Sequence, residues 1–125
     1  MGLKIRITAG DVSMKAELNG NRIARAIWDA LPIRQSGSTW GDEIYFPIPV
    51  TEESENPREV VELGDLGYWP PGSAFCIFFG PTPASRGDEI RPASAVEVVG
   101  HLLGEPVEFK RVPSGAVVTV ERMDG

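Results

Sequence analysis

The stretch from Ala74 to Phe79, "AFCIFF", is six apolar residues without a polar break, set between "WPPGS" and "GPTP". A strand wetted on one face alternates polar and apolar residues, so a run without alternation needs cover on both faces. It is read as a central strand, or as one passing from one buried layer to another. The prolines around it carry no amide hydrogen for a sheet ladder and mark rigid turns. The same punctuation, 14 glycines and 11 prolines in 125 residues, predicts many short strands joined by tight turns.

Alternation appears elsewhere. Leu3, Ile5 and Ile7 alternate with Lys4, Arg6 and Thr8, and Val12, Met14, Ala16 and Leu18 repeat the pattern. With "AGD" at 9–11 between them, the two segments form an opening hairpin whose Gly10 takes a positive φ. Ile44, Phe46, Ile48 and Val50 alternate with residues that include Pro47 and Pro49, which suits an edge strand or one leaving the sheet. Further strands are expected over Val96, Val98, Gly100 and Leu102 on one face, over Val107 and Phe109, and over Val118 and Val120.

One helix is expected, in "NRIARAIWDALP", where Ile23, Ala26, Ile27, Ala30 and Leu31 make a single apolar stripe. Asn19 or Asn21 caps its start and Pro32 stops it. Ten or so residues of helix are too few for an α/β architecture; this helix closes an end of a barrel. The segment 51–65, with six carboxylates and one arginine, reads as a solvated loop. Disorder is expected at most in its acidic part, 51–59, and at the extreme C-terminus.

A chain of this length fits one domain, residues 1–125, around a single core. The net charge of −6 and the scattered lysines and arginines exclude a broad phosphate-binding surface, so no nucleic-acid partner is expected. The N-terminus lacks a signal-type apolar stretch and no run nears the ~20 apolar residues of a membrane span, which predicts a cytoplasmic protein without membrane contact. Cys76 and His101 are the only residues of their kinds, too few for a zinc site, and neither metal nor cofactor is expected. No phosphate-cradling glycine motif is present, and "GSTWG" has Thr39 rather than serine at its centre. Cys76 reads as a buried small hydrophobe, and His101 as a surface or hydrogen-bonded histidine on a strand. Asp42 and Glu43, adjacent in a strand, point to opposite faces and cannot share a substrate. No catalytic residue is assigned.

The positive signal is aromatic: eight of the ten aromatic residues lie between residues 40 and 79. Phe46 and Phe75 fall in register with neighbouring core residues. Trp40, Tyr45, Tyr68 and Trp69 instead border turns, and amphipathic rings at loop edges line ligand pockets or seal barrel ends.

The stretches "WGDEIYFPIPV", "ELGDLGYWPPGSAFCIFFGPTP" and "VEVVGHLLG", preceded by "ARAIWDALP", resemble the small prokaryotic cyclophilin-like proteins of uncharacterised function. The resemblance runs from the first strand to about Leu103. It implies a mainly β fold, a closed antiparallel barrel of about eight strands capped by one main helix. Cyclophilins are peptidyl-prolyl isomerases; a groove on one outer barrel face lowers a barrier of ~20 kcal/mol by polarising the twisted amide, without a covalent step. On this resemblance Cys76 stands where the groove has a phenylalanine and Ala74 where it has a glutamine. The counterpart of the strand with the catalytic arginine, "WGDEIYFPIPV", has no arginine, and Arg34 is the nearest one. The resemblance and the aromatic clustering together imply a degenerate groove, lined by Trp40, Glu43, Tyr45, Tyr68, Trp69 and Phe78, that binds a small apolar or aromatic molecule or a peptide. The rings supply contact area, and Glu43 selects a hydrogen-bond donor or cation. The alternatives are a weak prolyl isomerase and a non-catalytic structural or interaction module, in each case a monomer or homodimer.

Overall fold

The N-terminal alternation folds as a hairpin. In a computed structural model describing residues 2–123, β1 (Leu3–Ala9) pairs antiparallel with β2 (Val12–Leu18), and Gly10 turns the chain at φ +56°. Ile5, Ile7, Val12, Ala16 and Leu18 are buried, while their alternate neighbours face outward. The expectation of disorder at the extreme C-terminus concerns residues 124–125, which lie outside the described residues.

Helix α1 (Arg22–Ala30) follows, capped by Asn21, whose side-chain oxygen accepts from the Ala24 amide at 2.8 Å. Ile23, Ala24 and Ile27 are its buried residues and join the barrel core; Ala26 and Ala30, expected on the apolar stripe, are only partly buried at its flank. The helix packs on β2 and on β8 (Glu97–Leu102).

The remaining strands are β3 (Ile33–Ser36), β4 (Ser38–Thr39), β5 (Glu43–Pro47), β6 (Asp65–Trp69), β7 (Ala74–Phe78) and β9 (Val117–Arg122). All neighbours pair antiparallel, in the order β3-β9-β1-β2-β8-β6-β7-β5-β4. The two end strands are separated in the chain by Gly37 alone. One bent segment, 33–39, therefore pairs with β9 through its first half and with β5 through its second, and the chain itself joins the two edges of the sheet. Counted as one bent strand, it makes the nine strands the expected eight. Gly37 is the corner: a Cβ there would lie 2.9 Å from Ile44 Cγ2 and 3.0 Å from Val118 Cγ2.

The interior is filled by Ile5, Ile7, Leu18, Ile27, Phe46, Leu66, Tyr68, Phe75 and Phe109, with the Phe46 and Phe75 rings 5.4 Å apart. Every residue of β7 is buried, as its sequence requires. Phe75 and Ile77 face the barrel, and Cys76 and Phe78 belong to a second apolar cluster outside it.

Three expectations are corrected. Residues 106–111 are a 3-10 helix rather than a strand. Pro106 supplies a fixed φ and no donor at its start, and Phe109 alone anchors it, 6.0 Å from the Phe79 ring, while Val107 stays exposed. In β8 the register shifts: Leu66 faces Gly100 but Gly67 faces Val98, leaving Val99 as an extra, bulged residue. Val96 and Val98 thus pack on the outer cluster, whereas Val99 and Leu102 enter the core, and the four-residue face expected from alternation is split. His101 is exposed, as expected of a surface histidine on a strand.

The third correction concerns the disorder allowed for 51–59; the acidic loop is solvated as expected. Its side chains are mostly exposed, but its backbone is tied down. Glu97, 3% exposed, accepts through one oxygen from the amides of Glu55 (2.7 Å) and Asn56 (3.0 Å) and the Ser54 hydroxyl (3.0 Å), and through the other from the Asn21 side-chain amide (3.1 Å). Arg22 pairs with Glu52 and Glu55 from the helix side. No helix among the described residues is long and apolar enough to cross a membrane.

Candidate functional site

Strand parity builds an outer face on β5, β7, β6 and β8. Ile44 and Phe46 point into the barrel, so Glu43 and Tyr45 point out, opposite Phe78 and Cys76 of β7. On β6, Leu66 and Tyr68 are interior, so Gly67 and Trp69 are outer. Two loops fold back over this face, held by bridges between Arg58 and Val96 and between Val61 and Ile90. Under them Val61, Cys76, Phe78, Ile90 and Val96 form the second cluster, against which Tyr45, Trp69 and Val98 pack.

Beside this cluster lies a cavity of about 210 Å³ lined by Trp40, Glu43, Tyr45, Trp69, Pro92, Ala93 and Val96. Trp40 arrives from the turn between β4 and β5, which its amide closes by donating to the Glu43 carbonyl at 2.9 Å. Trp69 is fixed by its indole nitrogen, which donates to the Ser94 hydroxyl at 2.7 Å. Glu43 is 6% exposed. Burial pushes its carboxyl from 4.5 up to about 7, against a smaller downward pull from the Cys76 thiol. Burial also drives the Cys76 thiol well above its usual range, and the adjacent Glu43 adds to this, so the thiol stays protonated and unreactive. No lysine, arginine or histidine lines the cavity. The arrangement offers three rings, an apolar loop wall and one carboxyl that titrates near neutrality.

Four of the six residues expected at the site, Trp40, Glu43, Tyr45 and Trp69, meet at this cavity. Phe78 lies opposite Glu43 and is fully buried in the outer cluster, behind the lining. Tyr68 points the other way: it is wholly buried in the barrel, where its hydroxyl donates to the Val50 carbonyl at 2.7 Å and accepts from the Glu52 amide at 3.2 Å. Tyr68 and Trp69 are consecutive in a strand and so take opposite faces. Pro92, Ala93 and Val96 were not expected at a site; Pro92 and Ala93 come from a loop without periodicity, Val96 was expected only as a strand residue, and the apolar content of "RPASAV" alone hints at a covered surface.

Ala74 and Cys76, the positions matched to groove residues by the family resemblance, share this outer face with Tyr45 and Trp69. Arg34 borders a separate shallow groove with Pro47 and Pro49. Asp42 is oriented toward Lys110, whose Nζ is 3.6 Å from its carboxylate. His101 sits opposite Asp65 on neighbouring strands and is not in the lining. Among the described residues, no three His, Cys, Asp or Glu side chains are gathered as a metal site would need.

A model of the cyclophilin-like family matches residues 3–121. The chain is similar to a hypothetical protein from Archaeoglobus fulgidus whose solution structure is known, with 44% identity over 98% of this chain and 95% of that one and a TM-score of 0.82. No curated protein matches the chain.

Proposed function

Because the chain belongs to the cyclophilin-like family, we propose that the outer barrel face serves here as a binding site, without covalent chemistry, for a small apolar or aromatic molecule or for such a group on a peptide. The observation that carries this reading is the convergence of Trp40, Tyr45 and Trp69 on one cavity with a buried carboxyl in its wall. Its size limits the occupant. An apolar cavity of ~150 Å³ takes up benzene, so about 210 Å³ suits one ring or one branched head with a small substituent.

The isomerase alternative needs a donor or positive charge to polarise a twisted amide. The lining has no basic residue and Arg34 borders a different groove, so binding is the better-supported reading. The structural-module alternative would use 44–50 as an edge; Ile44 and Tyr45 are paired on both sides, by β7 and by β4, and of this stretch only Phe46 and Pro47 pair with β7 alone, which leaves little strand to offer a partner.

Tryptophan fluorescence tests the proposal. Trp40 and Trp69 line the cavity, whereas Trp28 lies away from it with the Arg122 guanidinium 4.7 Å from its ring centroid. Titration with single-ring compounds should change the emission of the first two. Trp69→Ala should weaken binding by about tenfold, the scale of one lost aromatic contact. Unchanged affinity in Trp69→Ala and in Trp40→Ala would remove the site, and proline-peptide turnover by the wild-type protein would restore the isomerase reading.

A further inference from the structure

We propose that the cavity selects an organic cation, an alkylated ammonium head, over neutral molecules of the same shape; this rests on the binding reading above and names its ligand class. Glu43 is more than nine-tenths buried and lines the cavity, and among the described residues its carboxyl takes part in no ion pair and no hydrogen bond with nitrogen or oxygen. Its polar neighbour is the protonated Cys76 thiol. A buried carboxylate is costly unless a positive group or a donor meets it, and among the described residues no basic side chain lines the cavity.

The rest of the wall narrows the class. Trp40, Tyr45 and Trp69 present aromatic rings, whose faces carry partial negative charge and attract cations. A neutral ring would use these surfaces but leave the carboxyl unmatched, and an anion would be repelled by it. A metal ion would need several oxygen ligands where the lining has one carboxylate. A primary ammonium would need up to three acceptors, again more than the wall supplies. An alkylated ammonium spreads its charge over methyl groups, satisfies the rings by contact and neutralises Glu43 without further acceptors. Its head is of the size class that the cavity admits.

The test compares choline with 3,3-dimethylbutanol, its neutral isostere, by calorimetry or ligand-observed magnetic resonance on the intact protein at about pH 8.5, where Glu43 is ionised. Choline is expected to bind at least about tenfold more tightly. In Glu43→Gln the preference should shrink to about threefold or less, the rings alone remaining. The wild-type comparison stands even if that variant folds poorly. Equal or tighter binding of the neutral isostere overturns the cation inference and leaves the apolar site intact. If neither compound binds and single-ring aromatics also fail, both readings fall. A peptide bearing Nε-trimethyl-lysine separates the sources of the same chemistry: tighter binding than choline assigns the head to a protein side chain, weaker binding to a free small molecule.

Discussion

Glu43 reaches the cavity because Ile44 and Phe46 must enter the barrel, which leaves the alternate positions of β5 facing out, and the loop carrying Pro92 and Ala93 supplies another part of the same wall, with Glu43 left 6% exposed. This burial has a thermodynamic signature. The folded carboxyl holds its proton up to about pH 7 and the unfolded one only to 4.5, so between these values the unfolded chain binds fewer protons. Stability therefore falls as pH rises through this window and is level above it. The Cys76 thiol beside Glu43 keeps its proton there, and no lysine, arginine or histidine lines the cavity. Glu43→Gln should match wild type near the low end of the window and exceed it above neutrality, by at most roughly 3 kcal/mol. Urea unfolding at both ends checks this, and an unaltered pH slope in the variant would refute it. Tyr68 makes the opposite case. Tyr68→Phe strands the Val50 carbonyl and the Glu52 amide and should cost about 1–3 kcal/mol while leaving ligand affinity unchanged. From the sequence, Tyr68 and Trp69 were equivalent amphipathic rings beside a turn. Both were expected in the groove, although consecutive strand residues take opposite faces; the pairing of Tyr68 with Phe75 puts Tyr68 inside.

At the scale of elements, periodicity carried what depends on side chains and missed what depends on main chain. The hairpin, α1, β5 and the unbroken β7 all follow from apolar spacing. The acidic loop looked merely solvated because its anchors are the amides of Glu55 and Asn56, which leave no trace in composition. Glu97, a carboxylate among valines, was the available signal. Burial pushes its pKa up, yet the Asn56 and Glu55 amides, the Ser54 hydroxyl and the Arg22 charge together hold it below the usual carboxylate range. A depressed carboxylate stabilises the fold above its unfolded pKa and loses that contribution as pH falls through the folded value. Acidification below about pH 4.5 should therefore loosen the loop first. Glu97→Ala at neutral pH should do the same, raising hydrogen exchange at the Glu55 and Asn56 amides by about ten- to a hundredfold with little change in β1 and β2. Uniform acceleration across the barrel would mean that the loop is not a separate unit.

The whole barrel depends on a corner that no pattern announced. "RQSGST" is polar and looks like a loop, so the closure at Gly37, where one segment joins both edges of the sheet, was legible only as a strand count. The same corner connects the fold to the site. β4 is two residues long and leads directly into the Trp40 turn, which is held to Glu43 by a single backbone hydrogen bond. A methyl at position 37 would press on Ile44 Cγ2 at 2.9 Å and Val118 Cγ2 at 3.0 Å, so one edge must yield, and β4 has the fewer pairings. Gly37→Ala should accordingly cost about 1–3 kcal/mol, comparable to Tyr68→Phe. The two variants should differ in binding: displacement of β4 carries the Trp40 ring with it, so Gly37→Ala weakens the ligand by several-fold, on the order of one lost aromatic contact, while Tyr68→Phe does not. Measuring stability and affinity on the pair separates a destabilised barrel from a misplaced wall. Equal affinities would show that Trp40 holds its position independently of the closing strand.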